Sequence, residues 1–128
     1  MQHASMGNVE YRNGDHGPAY LIEGPSADIG VLRLRAGDDM VNHIHRHCDE
    51  SFIVVEGEVT LYVECGEPLL MREGDVARCA PGEMHYFRNE SGAPMRLVFI
   101  KSPQSPGDTI PIPWTPGEPP VTVPDDDG

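Results

Sequence analysis

Four residues in two short stretches carry side chains able to hold a metal ion. Residues 37–50 contain His43, His45 and Glu50, and residues 82–85 end in His85. His43 and His45 are separated by one residue, so on a strand their rings share a face while Ile44 points the other way. Glu50 opens an apolar run and can sit on a neighbouring strand. His85 stands just before an aromatic run, and if that strand pairs nearby it completes a set of three imidazoles and one carboxylate. Such a set suits Fe, Mn, Ni, Zn, Co or Cu and leaves positions open for water or substrate. Since no thiolate is needed, a closed structural zinc site is not expected.

The elements that must position these groups are short strands. Helical periodicity is nearly absent, whereas 14 glycines and 13 prolines punctuate brief β-branched and aromatic runs. Residues 29–35 alternate, with Leu32 and Leu34 on one face. Residues 52–55 form a continuous apolar run that ends at Glu56-Gly57, and residues 59–63 follow at once, which predicts a hairpin. Residues 69–71, 76–79, 85–87 and 95–100 supply further strands, the last two joined by the turn Asn89-Glu90-Ser91-Gly92. Strands of this length and spacing predict an all-β sandwich or barrel. Tyr20-Leu21-Ile22 in the N-terminal arm is a candidate edge strand, in its own barrel or across a dimer. Beyond Lys101 prolines dominate and exclude a central strand. Residues 104–128 read as a Pro-rich, acidic tail, in which residues 110–114 are expected to pack on the barrel or a neighbour because the one Trp, Trp114, gains by burial.

Taken together the two stretches resemble the cupins. Gly37, His43, His45, Glu50 and Gly57 match the first cupin motif with its four-residue spacer. Gly74, Gly82, His85 and Asn89 match the second, in which Ala80 replaces the usual proline and Pro81 follows one place later. The resemblance implies a double-stranded β-helix, or jelly-roll barrel, over residues 25–103, preceded by the arm of residues 1–24. It also implies one divalent transition metal (Fe, Zn, Mn or Ni) in the barrel mouth, held by His43, His45, Glu50 and His85, and often a homodimer. Asp49 is the alternative carboxylate under a shorter spacer, but Gly57 lies in register with Glu50.

Around the metal, Phe52 and Val54 share strand parity with Glu50, and Phe87 shares it with His85, so these three are expected to line a pocket. His47 shares the parity of His43 and His45 and is a candidate mouth residue. Tyr62, Arg78 and Arg88 are candidates to reach an anionic substrate, though each equally fits a solvated strand position. Two function classes follow. The first is a metalloenzyme acting on a small organic molecule: an O2-dependent dioxygenase with iron, or an isomerase, cyclase or lyase with Zn, Mn or Ni, with Glu50 as a proton shuttle. The second is a non-catalytic module that binds or senses a small molecule. Nothing in the sequence selects among the reactions.

Composition narrows the partners. The 128 residues suit one domain, and the formal net charge of -12 would repel phosphate backbones and anionic membranes, so neither nucleic acid nor membrane is expected as a partner. No apolar run reaches membrane-spanning length and no signal peptide is expected. Three cysteines, Cys48, Cys65 and Cys79, do not form a disulfide framework, which points to a reducing cytoplasm.

Overall fold

The computed structural model describes residues 1–125, so Asp126 and Asp127 of the acidic end, expected to be solvated, lie outside the described residues. After a single 3-10 turn, Met6–Asn8, the chain forms strands β1 (Gly17–Glu23), β2 (Asp28–Leu34), β3 (Asp39–His45), β4 (Asp49–Glu56), β5 (Glu58–Val63), β6 (Leu69–Arg72), β7 (Val76–Cys79), β8 (His85–Arg88), β9 (Met95–Ser102) and β10 (Thr109–Pro111). They build two five-stranded antiparallel sheets, ordered β1-β2-β9-β4-β7 and β10-β3-β8-β5-β6. The molecule is therefore an all-β double-stranded β-helix. Among the described residues no helix is long and apolar enough to cross a membrane.

β4 and β5 do not form the expected hairpin. β4 pairs with β7 and β9, and β5 pairs with β6 and β8, so the two strands belong to opposite sheets. One residue, Gly57, separates them, which is too few for a two-residue hairpin loop. Gly57 has φ of 71°, and a Cβ there would stand 2.7 Å from the Pro94 carbonyl oxygen. Only glycine turns this corner without strain. Alternation within each strand is the same whether the strands pair or part, so the apolar pattern did not distinguish the two.

Between the sheets lies one apolar cluster that includes Leu32, Leu34, Phe52, Val54, Leu61, Phe87, Leu97 and Phe99. Burial of each such side chain stabilises by about 1.5–3 kcal/mol. The Asn89 side chain secures the corner between β8 and β9: its Nδ2 donates to the carbonyls of Leu34 (3.1 Å) and Ala93 (2.8 Å), and its Oδ1 accepts from the Ser91 amide. A buried amide with both ends satisfied favours one turn conformation.

The flanking segments join the barrel. β1 pairs with β2 at one sheet edge, and β10 pairs with β3 at an edge of the other, Ile110 opposite Ile44. An edge accommodates Pro111, which has no N–H to donate. The following residues cover the outer face of the β3-β8-β5 sheet. Ile112 packs with Ile44 and Met84, and Trp114 packs with Tyr62 and Tyr86. Ile44 points away from the two histidines beside it and is nevertheless fully buried, because the tail lies over it.

Candidate metal centre

The antiparallel register of β3 and β8 sets His43 directly across from His85. A register shift between Met40 and His43 precedes this pair. The turn before β8 is held against β3 by a 2.7 Å bond from the Gly82 amide to the His45 carbonyl. Gly82 adopts φ of 81°, which an L side chain rarely tolerates. Ala80-Pro81 thus leaves the turn intact. Glu50 arrives from the opposite sheet on β4, where it pairs with Cys79 of β7 and Lys101 of β9. One ligand atom from each of His43, His45, Glu50 and His85 lies within 4.8 Å of every other, and all four residues are buried.

Hydrogen bonds determine how the rings face. Nδ1 of His43 is 2.6 Å from the Val41 carbonyl, and Nδ1 of His85 is 3.0 Å from the Glu83 carbonyl. A carbonyl oxygen only accepts, so both Nδ1 atoms carry hydrogen and each neutral ring presents an Nε2 lone pair inward. Thr109 Oγ1 lies 3.2 Å from Nδ1 of His45. Glu50 Oε1 is 2.9 Å from His45 Nε2 and 3.1 Å from His85 Nε2. A lone pair and a carboxylate oxygen so close repel each other unless a cation stands between them. In the metal-free protein that cation is a proton; a divalent ion satisfies the same requirement, so the donor set fits one.

The electrostatics agree. Burial alone would push the His85 imidazole down, but Cys79 and the Glu50 carboxylate outweigh it and raise it from 6.5 to about 10. Burial would raise Glu50, yet the bonds from His45 and His85 hold it well below the ordinary carboxylate range. Burial, then the charge on His85, lowers His43 from 6.5 to about 4, so this ring stays neutral and available as a ligand. Burial and the neighbouring Asp108 carboxylate raise the Cys48 thiol to about 12, which makes it an inert core group.

Above the ligands opens a cavity of about 350 Å³. Phe52 and Phe87 line it, with Leu32, Leu97 and Phe99. Three expected pocket residues lie elsewhere. Val54 shares the face of Glu50 and Phe52 but sits deeper, enclosed in the core. His47 follows the end of β3, where strand parity no longer applies; its ring is exposed and its amide donates to Asp108 at 2.8 Å. Tyr62 points to the outer face, because its neighbour Leu61 takes the inner one, and its hydroxyl donates to Glu90 at 3.0 Å. Arg78 and Arg88 are also away from the cavity: Arg78 donates to Ser51 and Arg88 lies over the Tyr86 ring.

Sequence reasoning missed three groups near the site. Asp108 accepts from the amides of Arg46, His47 and Cys48 and so shapes the turn between the second histidine and Glu50. Lys101 lines the cavity on the same β9 face as Leu97 and Phe99, a parity that was available in the sequence. Arg12 also lines it, from a loop whose place no periodicity foretold.

A double-stranded β-helix with a buried His/Glu cluster that could hold a metal defines the class, and the chain belongs to the cupin family: the cupin domain model matches residues 30–101. The tetracenomycin polyketide synthase protein TcmJ of Streptomyces glaucescens is 28% identical over 101 residues, covering 74% of this chain and 67% of that one. An uncharacterized protein of Aquifex aeolicus is 39% identical over 87 residues, covering 68% and 69%. Among solved structures, TT1209 from Thermus thermophilus superposes with a TM-score of 0.71 at 22% identity, covering 82% of this chain and all of that one, which shows the shared fold.

Proposed function

We propose that this cupin is a metalloenzyme that holds one divalent transition-metal ion through His43, His45, Glu50 and His85 and acts on a small organic molecule bound above it. The observation that carries the proposal is the inward-facing donor set, whose Nδ1 bonds leave it in need of a cation. Bound iron would supply O2 chemistry, and Zn, Mn or Ni would supply Lewis-acid chemistry for isomerisation, cyclisation or elimination.

The chain's own groups do the rest. Phe52, Phe87 and Phe99 wall the cavity against water and offer ring faces to an apolar substrate. Glu50 Oε1 is engaged by two imidazoles, so Glu50 would accept a proton from a bound molecule and return it only on detaching from them and from the ion. The likeness to a tetracenomycin polyketide synthase protein supports chemistry on a small organic molecule. The chain is further proposed to act as a homodimer. Supporting this are the edge strands β6 and β7, which leave Leu69, Leu70 and Val76 exposed. A mass measurement in solution at micromolar concentration checks it, and a monomer would refute it.

The first experiment is the metal content of protein purified without oxygen, beside a His43→Ala/His45→Ala double variant. Stoichiometric metal in the parent and its loss in the variant are expected. Iron would direct the search to O2 consumption, and zinc, manganese or nickel to isomerase, cyclase and lyase assays. No metal in either protein, and no uptake when it is supplied, would overturn the proposal in favour of a metal-free binding module.

A further inference from the structure

We infer that the cavity selects an organic acid: an aromatic or otherwise apolar body whose anionic group is held at the mouth by Lys101 and Arg12. The inference takes from the proposed function only that this cavity is the substrate site.

The chain carries 21 acidic residues against nine Lys and Arg. Of the nine, Arg35, Arg72 and Arg96 pair with carboxylates. Among the described residues the other six, Arg12, Arg33, Arg46, Arg78, Arg88 and Lys101, have no carboxylate within ion-pair distance, and of these Arg12 and Lys101 line the cavity. For Lys101 this is not for lack of candidates. Its cross-strand partners are Asp28 on β2 and Glu50 on β4. Asp28 is engaged by the Gly24 amide and Gln104, and Glu50 by His45 and His85.

The Lys101 ammonium instead donates to the Tyr20 hydroxyl at 2.6 Å and lies 5.1 Å and 5.5 Å from the centres of the Tyr20 and Phe99 rings. Two aromatic faces and one hydroxyl hold it, and a second oxygen from a ligand would complete its donors. Arg12 presents a planar fork suited to a carboxylate. Among the described residues Glu50 is the only carboxylate in the cavity lining, and it is committed to the histidines. A divalent ion below would make the cavity more positive still. Leu32, Phe52, Phe87, Leu97 and Phe99 make much of the remaining lining apolar, so the ligand that fits has an apolar body and a negative end.

The test uses the full-length chain, metal-free and metal-loaded, and a series of aromatic acids of increasing size: benzoate, cinnamate and 2-naphthoate, each beside its neutral amide. Binding is read by calorimetry. The best acid is expected to bind roughly tenfold or more tighter than its amide, in both metal states, as one charge-assisted hydrogen bond implies. Lys101→Met and Arg12→Met should each shrink that ratio, and the double variant should bring it close to one, with metal content unchanged. Arg12 is exposed, so its variant tests the idea even if Lys101→Met disturbs the sheet.

An equal affinity for acid and amide, a preference that survives in the double variant, or no binding of any acid at millimolar concentration would overturn the inference. The two proposals fail separately. Protein that takes up no metal yet prefers acids refutes the metal centre alone. Protein that holds metal and shows no preference refutes the acid site alone.

Discussion

At the scale of single residues, the site depends on what lies behind each ligand. Thr109 Oγ1 stands 3.2 Å from Nδ1 of His45 and orients a ring whose other nitrogen faces Glu50. Thr109→Val keeps the shape and removes the oxygen. Metal affinity, measured by competition with a chelator, should fall by about tenfold while the fold is retained, since a partner behind a ligand has effects of that size. Unchanged affinity would show that packing alone orients His45.

The same groups set a pH profile for the metal-stripped protein. His85 is raised from 6.5 to about 10, so its contribution is complete below pH 6.5 and is lost as the pH climbs toward 10. His43 is lowered from 6.5 to about 4, so its contribution is complete above pH 6.5 and is lost as the pH falls toward 4. Glu50, lowered from 4.5, adds to the loss on the acid side. The Tm should peak near pH 6.5 and decline on both sides. A flat Tm across that range would contradict the buried proton between Glu50 and His85.

At the scale of elements, the corner between β4 and β5 decides whether the two sheets face each other. Gly57→Ala meets both an unfavourable φ of 71° and a backbone oxygen 2.7 Å from the new Cβ. A loss of about 1–3 kcal/mol in denaturant unfolding is expected. Gly37, by contrast, has φ of 85° but open space around it, so Gly37→Ala should cost less. Equal losses at the two positions would mean that φ alone matters and the close approach does not. The β10 edge also has a role in the site. It carries Thr109, and Asp108 just before it caps the turn that leads to Glu50. The segment after the barrel thus supports the ligands from outside.

At the scale of the whole molecule, a divalent ion held by the four proposed ligands would join opposite sheets: three histidines come from one and Glu50 from the other. An ion that binds the folded chain and not the unfolded one stabilises it by about 2.7 kcal/mol at one hundred times its Kd. Stripping the metal should therefore lower Tm by roughly 5–10 °C for a chain of this size. No shift on removal or return of metal would indicate that the four ligands do not act together. The net charge of -12 adds a long-range bias, drawing cations to the protein and leaving a cavity mouth with Lys101 and Arg12 as a local exception.

The ligand candidates, the all-β class and most strand positions were legible in the sequence because each depends on local spacing. Alternation put His43 and His45 on one face and Ile44 on the other, and motif glycines marked corners that demand positive φ. Phe52 and Phe87 followed from the same parity. Parity gives a face but not a depth, which is why Val54 proved to be core and not cavity wall. It stops at a strand end, which is why His47 turned outward. It does not say which strands pair, so β4 and β5 appeared as a hairpin although they face each other across the barrel. The meeting of Glu50 with His85, and of Lys101 and Arg12 with the cavity, joins residues far apart in the chain. Only the packing of one sheet on the other decides such contacts, because they depend on register and closure that no local pattern contains.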